Sequence, residues 1–180
     1  RAHGRAALAL HENDLAIEVS RLNVELYPNS WRVYRDLAEA YHAAGDAAEG
    51  ERLSAMADEM RNRESAIMEY VRSGAYDEAR RIILRAHATN PDLQLLTPSR
   101  IGPYFDETLM SGDSDKALEL CRIWALANPG TVGPYFSMAR VYRSQGNIEQ
   151  LRATYERILE IEPEGRSADT ARRALEELNR

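Results

Sequence analysis

A recurring order of glycine, small residue and proline constrains the fold of this chain more than any other feature. Four glycines are each followed five positions later by a small or aliphatic residue: Gly45 by Gly50, Gly74 by Ala79, Gly112 by Ala117, and Gly146 by Leu151. A proline stands twelve positions after the last three of those residues and after Ala16, at Pro91, Pro129, Pro163 and Pro28. Glycine adopts the left-handed turn that ends a helix, a small residue lets two helices cross closely, and proline ends the second helix. The pattern predicts repeated pairs of helices.

The composition of the chain favours the same fold class. Ala, Leu, Arg and Glu dominate the sequence, and these residues lose little side-chain freedom in a helix. We therefore predict an all-α chain with about five helix pairs and one final helix. The pairs are expected near residues 1–28, 31–59, 60–91, 98–129 and 132–163, and the final helix near 167–180.

Polar residues that follow the glycines are suited to begin the second helix of each pair. Asp46, Asp113 and Asn147 each follow a glycine directly, and Asp77 is expected to act in the same way after Gly74. A carboxylate or amide oxygen at such a position accepts a hydrogen bond from a backbone N–H of the first helical turn. We predict that all four side chains cap helices.

Two stretches share a further pattern of aromatic and small residues. One contains Tyr34, Leu37, Ala38 and Tyr41, and the other contains Tyr135, Met138, Ala139 and Tyr142. Both resemble the tetratricopeptide signature W-x₂-L-G-x₂-Y, which the last repeat continues with Leu151, Tyr155 and Pro163. The resemblance covers nearly the whole chain. It implies one domain, 1–180, in which antiparallel helix pairs stack as a right-handed α-solenoid and the helix at 167–180 covers the end.

Two regions depart from the regular repeat. The second repeat has Asn62 where a proline is expected, so its second helix is predicted to run almost directly into the third pair. The connection between Pro91 and Pro98 is longer than usual, and Pro103 falls inside the helix predicted for 98–111. Because proline lacks the N–H group that a helix interior uses, this helix is predicted to be kinked or to start late.

Charge and hydropathy disfavour several classes of partner. The net charge of −6 repels a phosphate backbone, so nucleic acid is not expected to bind. Apolar runs such as residues 6–10 are far shorter than the roughly 18 residues of a membrane span, which predicts a soluble chain. Lys116 is the only lysine among 23 basic residues, a skew typical of a high-GC bacterial genome. Because the chain begins at Arg1, we expect a longer parent protein; the compartment stays open, with the cytoplasm preferred to the periplasm.

Residues that could support catalysis or bind a metal lack the spacing that such sites need. His11 and Glu12 begin a zinc-protease motif, but Leu15 stands where the second histidine is required. No two histidines lie three or four positions apart, and Cys121 has no second cysteine to pair with. We predict that the chain is not an enzyme, binds no cofactor and no metal, and buries Cys121.

The tetratricopeptide resemblance also implies which residues line a concave groove. The first helix of each pair faces this groove, where the residues expected to bind a partner are Arg32, Arg35, Arg72, Phe136, Arg140 and Arg143. The same face is expected to include Glu39, His42, Arg61, Glu64, Met68, Asp106, Leu109 and Met110. Six arginines against three carboxylates make this predicted groove basic. The excess reflects either solvated helix faces or arginine forks that receive the carboxylates of a bound peptide.

Three functions fit these features. The first is a protein-interaction scaffold that binds another protein or a peptide with acidic residues in the groove. The second is a helical accessory domain of a larger bacterial enzyme, because residues 13–60 are similar to tetratricopeptide tails that follow bacterial serine hydrolase domains. The third is an RNA-reading helical repeat, which the acidic net charge disfavours. We favour the scaffold and leave the partner and the oligomeric state open.

Overall fold

The computed structural model describes the backbone of residues 2–179 and the side chains of residues 12–179. Every regular element in this range is a helix, which confirms the all-α prediction. The helices are α1 Ala2–Leu26, α2 Trp31–Ala43, α3 Ala47–Ser73, α4 Tyr76–Thr89, α5 Pro98–Met110, α6 Ser114–Ala127, α7 Gly133–Ser144, α8 Ile148–Ile161 and α9 Arg166–Leu178. The right-handed sense of stacking stays a prediction. None of the described helices combines the length and the apolar character that crossing a membrane requires.

The chain divides into two compact units, residues 1–66 and 67–180, and the division falls within α3. The core of the first unit contains Leu37 and Ala38 of α2 and Leu53 of α3. Ile17 and Val24 of α1 pack against this core. The first unit therefore joins three helices around one small apolar cluster.

The second unit has two apolar clusters that follow each other along the chain. The larger one includes Ile83 of α4 and Phe105 of α5, and both side chains are almost completely buried. The smaller one joins α7, α8 and α9 and includes Tyr155 and Ala171. Tyr142 of α7 packs against both clusters. Each helix from α5 to α9 contacts the next one, so this unit is a succession of helical hairpins ending in α9.

The turns and caps follow the glycine pattern. Gly45, Gly74, Gly112 and Gly146 all have positive φ angles, between 67° and 87°, which is the conformation that glycine adopts without strain. Asp46, Asp113 and Asn147 accept hydrogen bonds from backbone N–H groups three residues later, at 3.2, 3.0 and 3.1 Å, which confirms these caps.

Asp77 does not cap a helix, so that prediction is wrong. The residue that precedes α4 is Ala75, which makes no side-chain capping bond. Asp77 lies inside the first turn, where its carboxylate pairs with Arg80 at 2.6 Å. The turn has the same length as the other three, since each second helix begins two residues after its glycine. Here the capping position directly after the glycine holds Ala75, and Asp77 stands two positions further along the chain.

In three stretches the helix boundaries differ from those of the predicted pairs or make them more definite. Residues 2–26 form the single helix α1, so the prediction of a helix pair within 1–28 is wrong. Residues 47–73 form the one continuous helix α3, so no turn separates the second predicted pair from the third. Helix α5 begins at Pro98 and continues through Pro103, so the alternative that it starts late is wrong as well.

The irregular connection from 90 to 97 is attached to the end of α6. Leu95 donates its backbone N–H to the carbonyl oxygen of Ala127 at 3.0 Å. The side chain of Asn128 pairs with both backbone groups of Leu96: its Oδ1 accepts the N–H at 3.0 Å, and its Nδ2 donates to the carbonyl oxygen at 2.7 Å. Asn128 is 5% exposed, and Leu95 and Leu96 are buried too. One amide side chain thus replaces the backbone pairing that an irregular segment lacks.

Two small residues bring helices close together. A Cβ atom added at Gly50 would lie 2.6 Å from the ring of His42, so α2 and α3 cross closely at this point. A Cβ atom added at Gly133 would lie 3.3 Å from the ring of Trp124. Trp124 is 7% exposed, and its indole N–H has no partner among the described residues.

The close crossing predicted at Ala117 can be tested by overpacking. Ala117 is fully buried, so Ala117→Leu is expected to lower the free energy of unfolding by about 1–3 kcal/mol. Urea unfolding followed by circular dichroism measures the change. Ala153→Leu, at an exposed position of α8, is the matched control and is expected to have little effect. Equal stabilities of Ala117→Leu and the wild type would contradict the assigned crossing.

Candidate functional site

A cavity of about 430 Å³ lies between α7, α8 and α9 in the second unit. We call it the α7–α9 groove. Helix α7 contributes three residues at spacings of four and three, which place them on one helix face: Phe136, Arg140 and Arg143. The other helices contribute Tyr155, Thr170, Arg173, Ala174 and Glu177. The structure therefore brings together three of the six residues predicted to bind a partner.

Two arginines of the groove, Arg143 and Arg173, are each held by one hydrogen bond that leaves other N–H groups available. Arg143 donates to the hydroxyl oxygen of Tyr155 at 2.7 Å. Arg173 donates its Nε–H to the carbonyl oxygen of Asp169 at 3.2 Å. A guanidinium group has five N–H donors, so each of these side chains keeps donors for a ligand. Three arginines against Glu177 make the lining of the groove positive.

Arg140 is less free than the sequence predicts. Its guanidinium pairs with Asp106 of α5 at 2.8 Å and lies 5.2 Å from the centre of the Phe105 ring. The side chain is nevertheless 56% exposed, which leaves it accessible from the groove. Arg140 therefore links α7 to α5 as well as lining the groove, and a charge reversal there would disturb two sites at once.

Sequence reasoning misses the contribution of α9 to this groove. Ser167 to Arg180 is interpreted only as a cap, whereas Arg173 and Glu177 of α9 line the cavity. The available signal is the spacing of four between these two exposed charges, on a helix that buries Ala168 and Ala171. That spacing indicates a shared helix face but not what lies opposite it.

Arg32 and Arg35 belong to a second cationic group, in the first unit, around Trp31. We call it the Trp31 cluster; its members are Trp31, Arg32, Arg35, Asp58 and Arg61. The guanidinium carbons of Arg32 and Arg35 each lie 4.8 Å from the Trp31 ring centre, and that of Arg61 lies 5.9 Å away. Asp58 pairs with Arg35 at 3.4 Å and with Arg61 at 2.9 Å. Three cations and one carboxylate surround one partly exposed ring, so this surface is positive.

Three further residues predicted to face a groove, Arg72, Glu64 and Met68, lie in different environments. Arg72 is exposed near the end of α3 and belongs to neither group. Glu64 and Met68 are buried, at 4% and 2% exposure, so their assignment to an open surface is wrong. Met68 packs in the larger apolar cluster of the second unit. The uninterrupted helix α3 is the reason, because the second and third pairs are not separated there and the helix faces do not follow the regular repeat.

Cys121 is completely buried, which confirms the structural role predicted for it. Burial away from water raises the pKa of its thiol to about 12, against weaker lowering by Arg140 and Arg122. The thiolate is the reactive form, so Cys121 is unreactive near neutral pH. Among the described side chains, no three His, Cys, Asp or Glu residues are grouped so as to hold a metal ion.

The burial of Cys121 predicts slow reaction with thiol reagents. At pH 8 the native protein is expected to react with a disulfide reagent at least about a hundredfold more slowly than the urea-unfolded protein, because both access and the thiolate are lacking. Absorbance of the released thiol measures both rates. Reaction of the native protein at the unfolded rate would show that Cys121 is open to solvent.

Comparison with known families identifies a repeat that includes the α7 and α8 side of the groove. The sequence model of the family described as tetratricopeptide repeat matches residues 135–168, which cover most of α7, all of α8 and the beginning of α9. The chain carries a tetratricopeptide repeat. No curated protein matches the chain. The repeat supports a protein-interaction scaffold in general, and tetratricopeptide repeats are generally not enzymes.

Proposed function

We propose that this chain is a protein-interaction scaffold and that its α7–α9 groove holds a peptide segment with carboxylate side chains. The observation that carries the proposal is the convergence of Arg140, Arg143 and Arg173 on one cavity, whose α7 and α8 side belongs to the matched tetratricopeptide repeat. Arginine forks bind carboxylates through paired hydrogen bonds, and they do so best where part of the water is excluded.

The shape of the groove favours a peptide segment over a small anion. Phe136 and Ala174 add apolar lining beside the arginines, and a volume of about 430 Å³ accommodates several side chains. Glu177 lies at the same cavity and would repel a ligand that is acidic along its whole length. The preferred ligand therefore has one or two carboxylates next to an apolar side chain.

A displayed library of random peptides tests this function with the full chain as bait. We expect the selected peptides to contain Asp or Glu next to Leu, Phe or Met, and a peptide made from them to bind in a one-to-one ratio by calorimetry. A single-stranded RNA of equal charge should not displace it. Selection of basic peptides, or displacement by the RNA, would contradict the proposal.

A further inference from the structure

Helix α1 carries two apolar faces, and α2 covers only one of them. Ile17 and Val24 pack against the core of the first unit. Four other large apolar residues of α1 are exposed to solvent by half or more: Leu15 at 54%, Val19 at 50%, Leu22 at 53% and Leu26 at 69%. We call these four residues the outer stripe.

The outer stripe has the geometry of a helix-packing surface. Its members are spaced four, three and four positions apart. At about 100° per residue they lie within an arc of about 60°, on the side of α1 opposite to Ile17 and Val24. Alternating spacings of three and four are those by which one helix packs against another in coiled coils. Single exposed leucines are ordinary on proteins, whereas a contiguous apolar row marks an interaction surface.

The flank of the outer stripe is acidic. Asp14, Glu18 and Glu25 are exposed and lie side by side along one edge of the stripe. Arg21 lies further round the helix, where its guanidinium donates to the Tyr41 hydroxyl and stacks 5.6 Å from that ring. Arg21 keeps its charge in this contact, so the edge and its neighbourhood hold three carboxylates against one cation and are net negative.

A cavity of about 390 Å³ opens on the same flank. Its lining consists of Asp14, Ile17, Glu18, Arg21 and Tyr41. Asp14 and Glu18 stand one helical turn apart, so both can accept hydrogen bonds from one long cationic side chain. Apolar atoms of Ile17 and Tyr41 suit the methylene groups of such a side chain.

We propose that the outer stripe and its acidic flank are a docking surface for a basic amphipathic helix of a partner protein. Apolar residues of the partner, spaced three and four apart, pack on Leu15, Val19, Leu22 and Leu26. A lysine or arginine beside them enters the cavity next to Asp14 and Glu18. This surface belongs to the first unit and the α7–α9 groove belongs to the second. Helix docking on the outer stripe and peptide binding in the groove are therefore tested independently.

Charge complementarity favours such a partner over a second copy of this chain. Two α1 helices packed antiparallel through the stripe would place the Glu18 and Glu25 edges against each other. Packed in parallel, the acidic edge would meet the opposite edge of the stripe, where Glu12, Ala16 and Asn23 lie. Among the side chains from residue 12 onward, neither arrangement places a cation against the acidic edge, and the antiparallel one places like charges together, which is unfavourable.

Two matched synthetic helices serve as probes for the full chain. Both are labelled four-heptad peptides with leucines at the packing positions; one has lysines at the flanking positions, and its twin has glutamates. Fluorescence anisotropy is expected to show binding of the lysine peptide at least about tenfold tighter than that of its twin, with the difference shrinking between about 0.05 M and about 0.3 M salt.

Two variants with matched controls locate the binding. Leu22→Ser is expected to weaken binding of the lysine peptide by about tenfold or more, whereas Leu84→Ser, at an equally exposed leucine of α4, leaves it unchanged. Glu18→Lys should also weaken it, whereas Glu156→Lys on α8 should not. Thermal melts verify that each variant is folded. If Leu22→Ser lowers the melting temperature, the comparison of Glu18→Lys with Glu156→Lys decides whether the peptide binds at the outer stripe.

Three outcomes would overturn the proposal. The first is equal or absent binding of the two peptides. The second is binding that neither Leu22→Ser nor Glu18→Lys weakens. The third is a wild-type dimer in sedimentation that Leu22→Ser dissociates, which would assign the outer stripe to a second copy of the chain.

Discussion

The double variant Arg143→Gln, Arg173→Gln is expected to bind the library-selected acidic peptide on the order of a hundredfold more weakly than the wild type. Each arginine contributes charge-assisted hydrogen bonds to a carboxylate, and together their loss costs about 2–3 kcal/mol of binding free energy. Calorimetry at two salt concentrations measures the effect. Higher salt should weaken the wild type more than the variant, because exposed charges are screened beyond about 10 Å at 0.1 M salt.

The control for this experiment removes the same charge from other surfaces. Arg81 of α4 and Arg172 of α9 are exposed and do not line the groove, so Arg81→Gln with Arg172→Gln should keep the wild-type affinity. Both double variants are expected to change the free energy of unfolding by no more than about 1 kcal/mol. Equal affinities of the groove variant and the wild type, with both folded, would place the peptide elsewhere on the chain.

Arg143 and Arg173 are better targets than the pair of Arg140 and Arg143, although the sequence places both members of the second pair on the groove face. A charge reversal at a purely solvent-facing arginine would change the free energy of unfolding by about 0.5 kcal/mol or less, but Arg140 is not such a residue. The ion pair with Asp106 makes that substitution ambiguous, since a glutamate there would face a carboxylate across the gap between α7 and α5. Loss of binding could then arise from a shifted helix.

Asn128→Ala is expected to lower the free energy of unfolding by about 2–5 kcal/mol, because it leaves the buried N–H and C=O groups of Leu96 without partners. Urea unfolding measures the change. Hydrogen exchange should also become faster at Leu95 and Leu96, because the connection from 90 to 97 loses its side-chain attachment to the end of α6.

The chain provides a matched control for this substitution. Asn90, like Asn128, is followed by proline, but it is exposed, and its side chain accepts only a local bond from the Asp92 N–H at 3.2 Å. Asn90→Ala is therefore expected to cost about 1 kcal/mol or less. Similar losses for the two variants would mean that Asn128 acts only as an ordinary helix-ending residue.

Comparison of these two asparagines shows how far the sequence could predict the fold. The Asn-Pro pairs at 90 and 128 look alike in the sequence, and their prolines, Pro91 and Pro129, both predict the end of a helix. Both helices do end there, because proline and the glycine turns act locally. The pairing of Asn128 with Leu96 joins residues 32 positions apart, and no local pattern encodes it.

The difference between local signals and contacts distant in sequence also explains which predictions are wrong and which groove residues are missed. A single helix from 2 to 26 contains no turn signal after Gly4, so dividing this stretch into a pair relied on the repeat spacing and not on local chemistry. Glu64 and Met68 are assigned to a surface by extending a regular repeat through α3, where the chain has none. The α7 side of the groove could be predicted from spacing on one helix, whereas the α9 side depends on how two helices pack.

The two tryptophans of the chain provide separate optical reporters of the two units. Trp124 is buried in the second unit, so it should emit at short wavelength and resist quenching. Trp31 of the first unit lies among three guanidinium groups. Iodide, an anion, should accumulate there and quench Trp31 more strongly than neutral acrylamide does. Single-tryptophan variants would therefore reveal whether the two units unfold together or one after the other, without any attached label.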